Sequence, residues 1–136
     1  MQTFQSQPAI LVLEDDPNFR RLLKVALSRE GHTVYTAADA QEALSLVRQE
    51  HSISLVTTDN KMPGMSGLEF LYEVEKLAPR ILKVMISSTS EEELKPHLEQ
   101  PGFLFAFHRK PARISEVIET IRMALSVVER KAQRAG

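Results

Sequence analysis

The sequence predicts an α/β domain in which a parallel sheet is covered by helices on both faces. Apolar strand-like runs alternate with amphipathic helical patterns along a single chain of 136 residues. Such alternation calls for parallel strands joined by crossover helices. The first run, Ala9–Leu13 (AILVL), is apolar throughout, the pattern of a strand buried on both faces. The length suits one ordinary domain, and 43% apolar with 26% charged residues suits a packed globular chain rather than a disordered one.

The elements follow in order. After Ala9–Leu13, Asp16 is placed to cap a helix and Pro17 suits its first turn. Phe19, Leu22, Leu23, Ala26 and Leu27 fall at helical spacing and predict one buried stripe, which Gly31 terminates. Thr33–Ala37 reads as the second strand. Ala40, Ala43, Leu44 and Val47 form the next helical stripe, with Asp39 as its cap and Glu42 three residues on. Ser54–Thr58 is the third strand. Ser66 and Glu69 form a capping-box pair that opens a helix running to about Leu77. Ile81–Ile86 is the fourth strand. Ser90 and Glu93 repeat the capping signal, but Pro96 must disturb the helix behind them. Phe103–Phe107 is the expected fifth strand. Ile114, Val117, Ile118, Ile121, Leu125 and Val128 mark a last helix. Right-handed crossovers leave few topologies, though periodicity does not fix the strand order.

Composition narrows the function classes. A formal net charge of -1 gives no strong pull toward DNA or an anionic membrane. The absence of cysteine removes disulfides, thiol catalysis and thiolate metal sites, and fits a cytoplasmic protein. The opening MQTFQSQPA lacks the charged and apolar regions of a signal peptide, and no apolar run approaches the ~20 residues of a membrane helix.

In a parallel sheet every strand ends at the same edge, and ligand sites form just beyond it. Strand one delivers Glu14, Asp15 and Asp16 there, strand three Asp59, strand four Ser87 and Ser88, and strand five Lys110 followed by Pro111. Singly, each has a plain reading: Asp16 is a helix cap, Asp59 a solvated loop acid, Ser87 a strand-end hydroxyl and Lys110 a surface lysine. Their joint delivery by four strand ends is what points to chemistry. Crowded carboxylates repel one another, and a bound cation is the usual remedy. An oxygen-only set without Cys or His suits magnesium. Beside such an ion the Asp59 carboxylate is able to attack phosphorus as a nucleophile, with a lysine and a hydroxyl stabilising the transferred group.

These segments resemble a known family. ILVLEDDPNFRRLL resembles the opening of response-regulator receiver domains, where an acidic pair follows the first strand. SLVTTDNKMPGMSGLEFL resembles the segment around their phosphorylated aspartate, VMISS their fourth-strand ending, and FHRKP their Lys-Pro ending of strand five. The resemblance implies a flavodoxin-like doubly wound five-stranded sheet of order 2-1-3-4-5 with five helices. It places the receiver domain at residues 8–128, with short extensions at 1–7 and 129–136. It also implies roles. Asp59 accepts phosphate from a histidine kinase or phosphotransfer protein. Asp15 holds magnesium directly and Glu14 through water, and the Lys61 backbone carbonyl completes the metal shell. Lys110 contacts a phosphoryl oxygen, Ser87 reaches toward the phosphate, and Phe107 occupies the aromatic switch position.

The departures from the family pattern are equally readable. Glu14 replaces the commoner Asp, Ser88 a smaller residue, and Phe107 the commoner Tyr. Arg113 stands where an Asp often caps the last helix, which is therefore expected to begin late or fray. Pro96 shortens or bends the fourth helix, where the family usually transmits its signal.

The resemblance thus implies a bacterial two-component phosphoacceptor switch in the cytoplasm, not an enzyme. Its partners would be a kinase or phosphotransfer protein and a downstream target or separate output domain. ERKAQRAG is too short for an output fold, direct DNA contact is not expected, and a phosphorylation-linked dimer is among the assemblies the family admits. The alternative within the family is a degenerate receiver acting only as an interaction module, against which Asp15, Asp59, Ser87 and Lys110 argue. A dehalogenase-type phosphatase would need Asp-x-Asp after its first strand. A flavodoxin relative would need a Ser/Thr/Gly-rich loop where this chain has Glu14, Asp15 and Asp16.

Overall fold

The computed structural model describes residues 7–98 and 101–135. The expectations for the extension at 1–7 therefore fall almost wholly outside the described residues. Five strands, β1 (Ala9–Leu13), β2 (Thr33–Ala37), β3 (Ile53–Thr58), β4 (Leu82–Ser87) and β5 (Ala106–Arg109), form one sheet in the order β2-β1-β3-β4-β5. Every neighbouring pair is parallel. The helices are α1 (Pro17–Arg29), α2 (Ala40–Gln49), α3 (Gly67–Leu77), α4 (Glu91–Leu94) and α5 (Ile114–Ala135). The flavodoxin-like fold and its strand order are thus as expected.

Strand periodicity divides the core into two layers. Ala9, Leu11, Leu13, Ile53, Val56 and Met85 face α2 and α3, whose Ala43, Leu44, Val47, Phe70, Leu71 and Val74 cover them. Ile10, Val12, Leu55, Val84 and Ile86 face the opposite way, onto Leu23 and Leu27 of α1 and Val117, Ile121 and Ala124 of α5. The central strands are covered on both sides, which is why β1 shows no polar alternation.

The helix starts are built as their sequences require. The Asp16 side chain accepts from the Asn18 N–H, and Asp39 from the Glu42 N–H. Ser66 and Glu69 form a reciprocal capping box at α3. Pro96 has its expected effect: α4 lasts four residues and passes into a single 3-10 turn, Lys95–His97.

Beyond one-residue shifts that put the third strand at Ile53–Thr58 and the fourth at Leu82–Ser87, four expectations need correction. The fifth strand is not Phe103–Phe107 but Ala106–Arg109, because its ladder runs from Ala106 opposite Val84 to Arg109 opposite Ser87. Phe103 instead packs on Tyr72, with ring centroids 4.8 Å apart. The stripe on α1 is narrower than predicted: Leu23 and Leu27 are buried, but Leu22 is 49% exposed. It lies on the outward side of the helix with Val25, which is 40% exposed. The last helix does not begin late. It opens at Ile114, directly after Arg113, whose carbonyl accepts from the Glu116 and Val117 N–H groups. Nor is there a helix end near Val128, since α5 continues to Ala135. No helix of the described residues is long and apolar enough to cross a membrane.

Candidate functional site

Sequence-predicted residues from four strand ends meet at the carboxyl edge of the sheet. Glu14 leaves β1 with its side chain turned inward, 2% exposed, whereas Asp15 is exposed. Asp59, 8% exposed, follows β3. One carboxylate oxygen from each of Glu14, Asp15 and Asp59 lies within 4.8 Å of the others. The Asp16 carboxylate is committed to capping α1 instead.

Lys110 joins this cluster from beyond β5. Its Nζ donates to Glu14 Oε1 and to Asp59 Oδ2, both at 3.0 Å. The remaining Asp59 oxygen, Oδ1, accepts from the backbone N–H of Asn60 at 2.6 Å and of Lys61 at 3.3 Å. Lys61 itself is exposed. Glu14 Oε2 accepts from the Asp16 N–H at 3.2 Å, and Arg20 Nη1 fixes the Glu14 carbonyl at 2.8 Å.

The electrostatics follow from burial. Burial pushes the Glu14 carboxyl above its ordinary value of 4.5, and the hydrogen bonds from Lys110 and Asp16 offset this only in part. Burial alone would lower the Lys110 ammonium, but hydrogen bonds and charges from Glu14 and Asp59 outweigh it and hold Lys110 above the usual 10.5. The pocket thus holds more negative charge than one lysine neutralises, in an oxygen-only donor set. That set fits a hard divalent cation.

Ser87 is fully buried at the end of β4. Its Oγ accepts from the Thr89 N–H at 3.1 Å and the Asn60 N–H at 3.4 Å, so its own proton remains available to donate. Ser88 beside it is exposed. Phe107 is not part of the acid cluster. Half-buried and opposite Met85, it lines an open depression of about 590 Å³ with Ser90, Glu91, Glu92, Glu93 and Arg109.

The turn after Asp59 is tied to α3 in a way the sequence reading passed over. The Asn60 carbonyl accepts from the Gly67 N–H at 2.9 Å, and Asn60 Oδ1 from the Leu68 N–H at 3.1 Å. These bonds satisfy helix-start donors that would otherwise lack partners. The approach is so close that a Cβ on Gly67 would lie 1.8 Å from the Asp59 carbonyl oxygen. The Ser-Gly pair before an apolar run was the available signal, but only the packing shows what the glycine must avoid.

The response regulator receiver domain family model matches residues 10–122. The chain belongs to that family. Similar proteins include the hydrogenase transcriptional regulatory protein HoxA of Cupriavidus necator, 31% identical over 88% of this chain and 24% of the relative. Sporulation initiation phosphotransferase F of Bacillus subtilis is 29% identical over 85% of this chain and 92% of its own length. A crystal structure of a CheY-like response regulator receiver domain protein from Methanospirillum hungatei superimposes with a TM-score of 0.84 at 30% identity, covering 93% of this chain and 99% of that one. The chain therefore spans about a quarter of the first relative and nearly all of the second. Receiver domains are signalling switches of two-component systems. They work with histidine kinases or phosphotransfer proteins and generally bind magnesium at their acidic site.

Proposed function

We propose that this receiver accepts a phosphoryl group on Asp59 from a phosphohistidine of a histidine kinase or phosphotransfer protein, and that the added charge switches the face made by α4, β5 and α5. The supporting observation is Lys110: one ammonium bridges two poorly exposed carboxylates, Glu14 and Asp59, beside a third, Asp15. A degenerate receiver kept only for binding has no use for that arrangement.

Glu14, Asp15 and Asp59, with the Lys61 backbone carbonyl, would hold magnesium. When bound, the ion supplies positive charge against the carboxylates and the incoming phosphoryl oxygens. The chain's own groups do the rest. The Asn60 and Lys61 N–H groups orient the Asp59 carboxylate through Oδ1. An Asp59 oxygen forms the new O–P bond as the donor's P–N bond breaks, and the bonding pair leaves on the imidazole nitrogen. Lys110 stabilises a phosphoryl oxygen, and the free Ser87 proton is donated to another. Phe107 then repacks as the end of β4 moves, carrying the change to the depression it lines. The reading places the chain in the cytoplasm, acting on a protein target or an output domain rather than on DNA.

The test is labelling with acetyl phosphate and magnesium, with the adduct mapped by mass spectrometry. Wild type should carry one phosphoryl group on Asp59, and Asp59→Asn should carry none. Stoichiometric labelling of Asp59→Asn would refute the assignment.

A further inference from the structure

Lys110 has a third neighbour that the acid cluster does not explain. Its Nζ stands 4.7 Å from the centroid of the Phe19 ring. Phe19 lies in the first turn of α1, half-buried, and its body packs against the core layer between the sheet, α1 and α5. An ammonium has three donors; Glu14 and Asp59 take two of them, and the ring lies close enough for its electron-rich face to attract the charge.

We infer that Phe19 is a positioning residue, whose ring seats the Lys110 ammonium at the acceptor pocket and so helps set the rate at which Asp59 takes up a phosphoryl group. The inference rests on the phosphoacceptor reading above. Its logic is that the two attractions on Lys110 respond differently to occupancy. The pull of Glu14 and Asp59 weakens when a divalent cation claims their oxygens, and that cation also repels the ammonium. The pull of the ring depends on neither carboxylate. A long lysine side chain, 22% exposed here, would otherwise be free to swing toward water when its partners are taken. The seat keeps it in place for the arriving phosphoryl oxygen.

A merely space-filling Phe19 makes a different prediction, because leucine or methionine fills much of the same volume without an electron-rich face. Single-turnover phosphorylation by acetyl phosphate with magnesium should slow about two- to tenfold in Phe19→Leu and in Phe19→Met, the range expected for losing such a contact. Phe19→Trp should restore the rate. The seat has its own readout: the Lys110 side-chain methylene NMR signals should lie upfield of ordinary lysine, with and without magnesium and beryllofluoride, and should return to ordinary positions in Phe19→Leu. Rates in both aliphatic variants equal to wild type, failure of Trp to rescue, or unshifted Lys110 signals in wild type would overturn the inference. If instead wild type takes no label while the Lys110 signals shift and collapse as described, the acceptor reading has failed and the contact alone stands.

Discussion

Gly67→Ala is the smallest change that separates the acceptor turn from the helix behind it. The new Cβ would sit 1.8 Å from the Asp59 carbonyl oxygen, 2.7 Å from its carbon and 2.9 Å from Asn60 Cα. All three are backbone atoms, so no side chain can swing aside. Reaching a tolerable 3.0–3.4 Å requires a retreat of about 1.2–1.6 Å between the start of α3 and the turn. Overpacking of this kind costs about 1–3 kcal/mol. The Gly67 and Leu68 N–H bonds to Asn60 stretch or break, at about 0.5–1.5 kcal/mol each. Alanine's helix preference returns less than ~1 kcal/mol. The net loss should be about 2–4 kcal/mol, a fall of roughly 6–15 °C in Tm. Urea unfolding measures it, and amide spectra should show Asp59 and Asn60 displaced. Gly64→Ala is the control. Gly64 has a φ of +81° with nothing within 4 Å of a built Cβ, so it carries only the left-handed backbone penalty, about 1–2 kcal/mol. A Gly67→Ala protein within about 0.5 kcal/mol of wild type, or one more stable than Gly64→Ala, would refute the reasoning.

Three further outcomes follow from the pocket. Lys110→Met leaves Glu14 and Asp59 facing each other without their shared cation. Metal-free protein at neutral pH should lose about 1–3 kcal/mol, moderated because the Lys110 side chain is 22% exposed, and magnesium should restore part of it; an unchanged denaturation midpoint would contradict this. Glu14→Gln tests the buried acid. Because folding raises the Glu14 pKa above 4.5, the stability linked to its protonated form is full below that value and is lost as pH rises through the raised one. The variant should therefore gain on wild type as pH rises from below 4.5 through the raised value in chelator, and a loss on that rise would show the sign to be wrong. Ser87→Ala should still label at Asp59, while beryllofluoride with magnesium should shift amide signals of α4, β5 and α5 less than in wild type. Equal distant shifts in the two proteins would remove Ser87 from the coupling.

Most of the scaffold is legible because one-dimensional pattern and three-dimensional burial coincide there. β1 is apolar at every position because it is covered on both faces, and Asp16, Asp39 and Ser66 announce helix starts by residue type alone. The sequence misled where apolar residues serve something other than the sheet. Phe103 reads as strand but packs on Tyr72 and under Lys83, whose Nζ is 5.2 Å from its centroid. Lys83 itself, 4% exposed within β4, is paired with Glu75 at 2.7 Å, a partnership with no sequence signature because its two members come from different elements. The site residues were readable from their places at strand ends. Phe19 looked like core from its spacing, and its contact with Lys110 spans 91 positions of chain that no local pattern can bridge.

The open sheet has a consequence for solubility. An unclosed parallel sheet leaves two edge strands whose outward N–H and C=O groups can template pairing with another chain. Here β2 has five residues and β5 only four, and Arg109 ends β5 with an exposed charge. Pro111 follows one residue after Lys110 and has no N–H to offer, so a fifth-strand ladder cannot be extended past the pocket. The Lys-Pro pair that delivers an ammonium to the carboxylates also keeps the sheet's outer edge to four residues, a short template for edge-to-edge pairing.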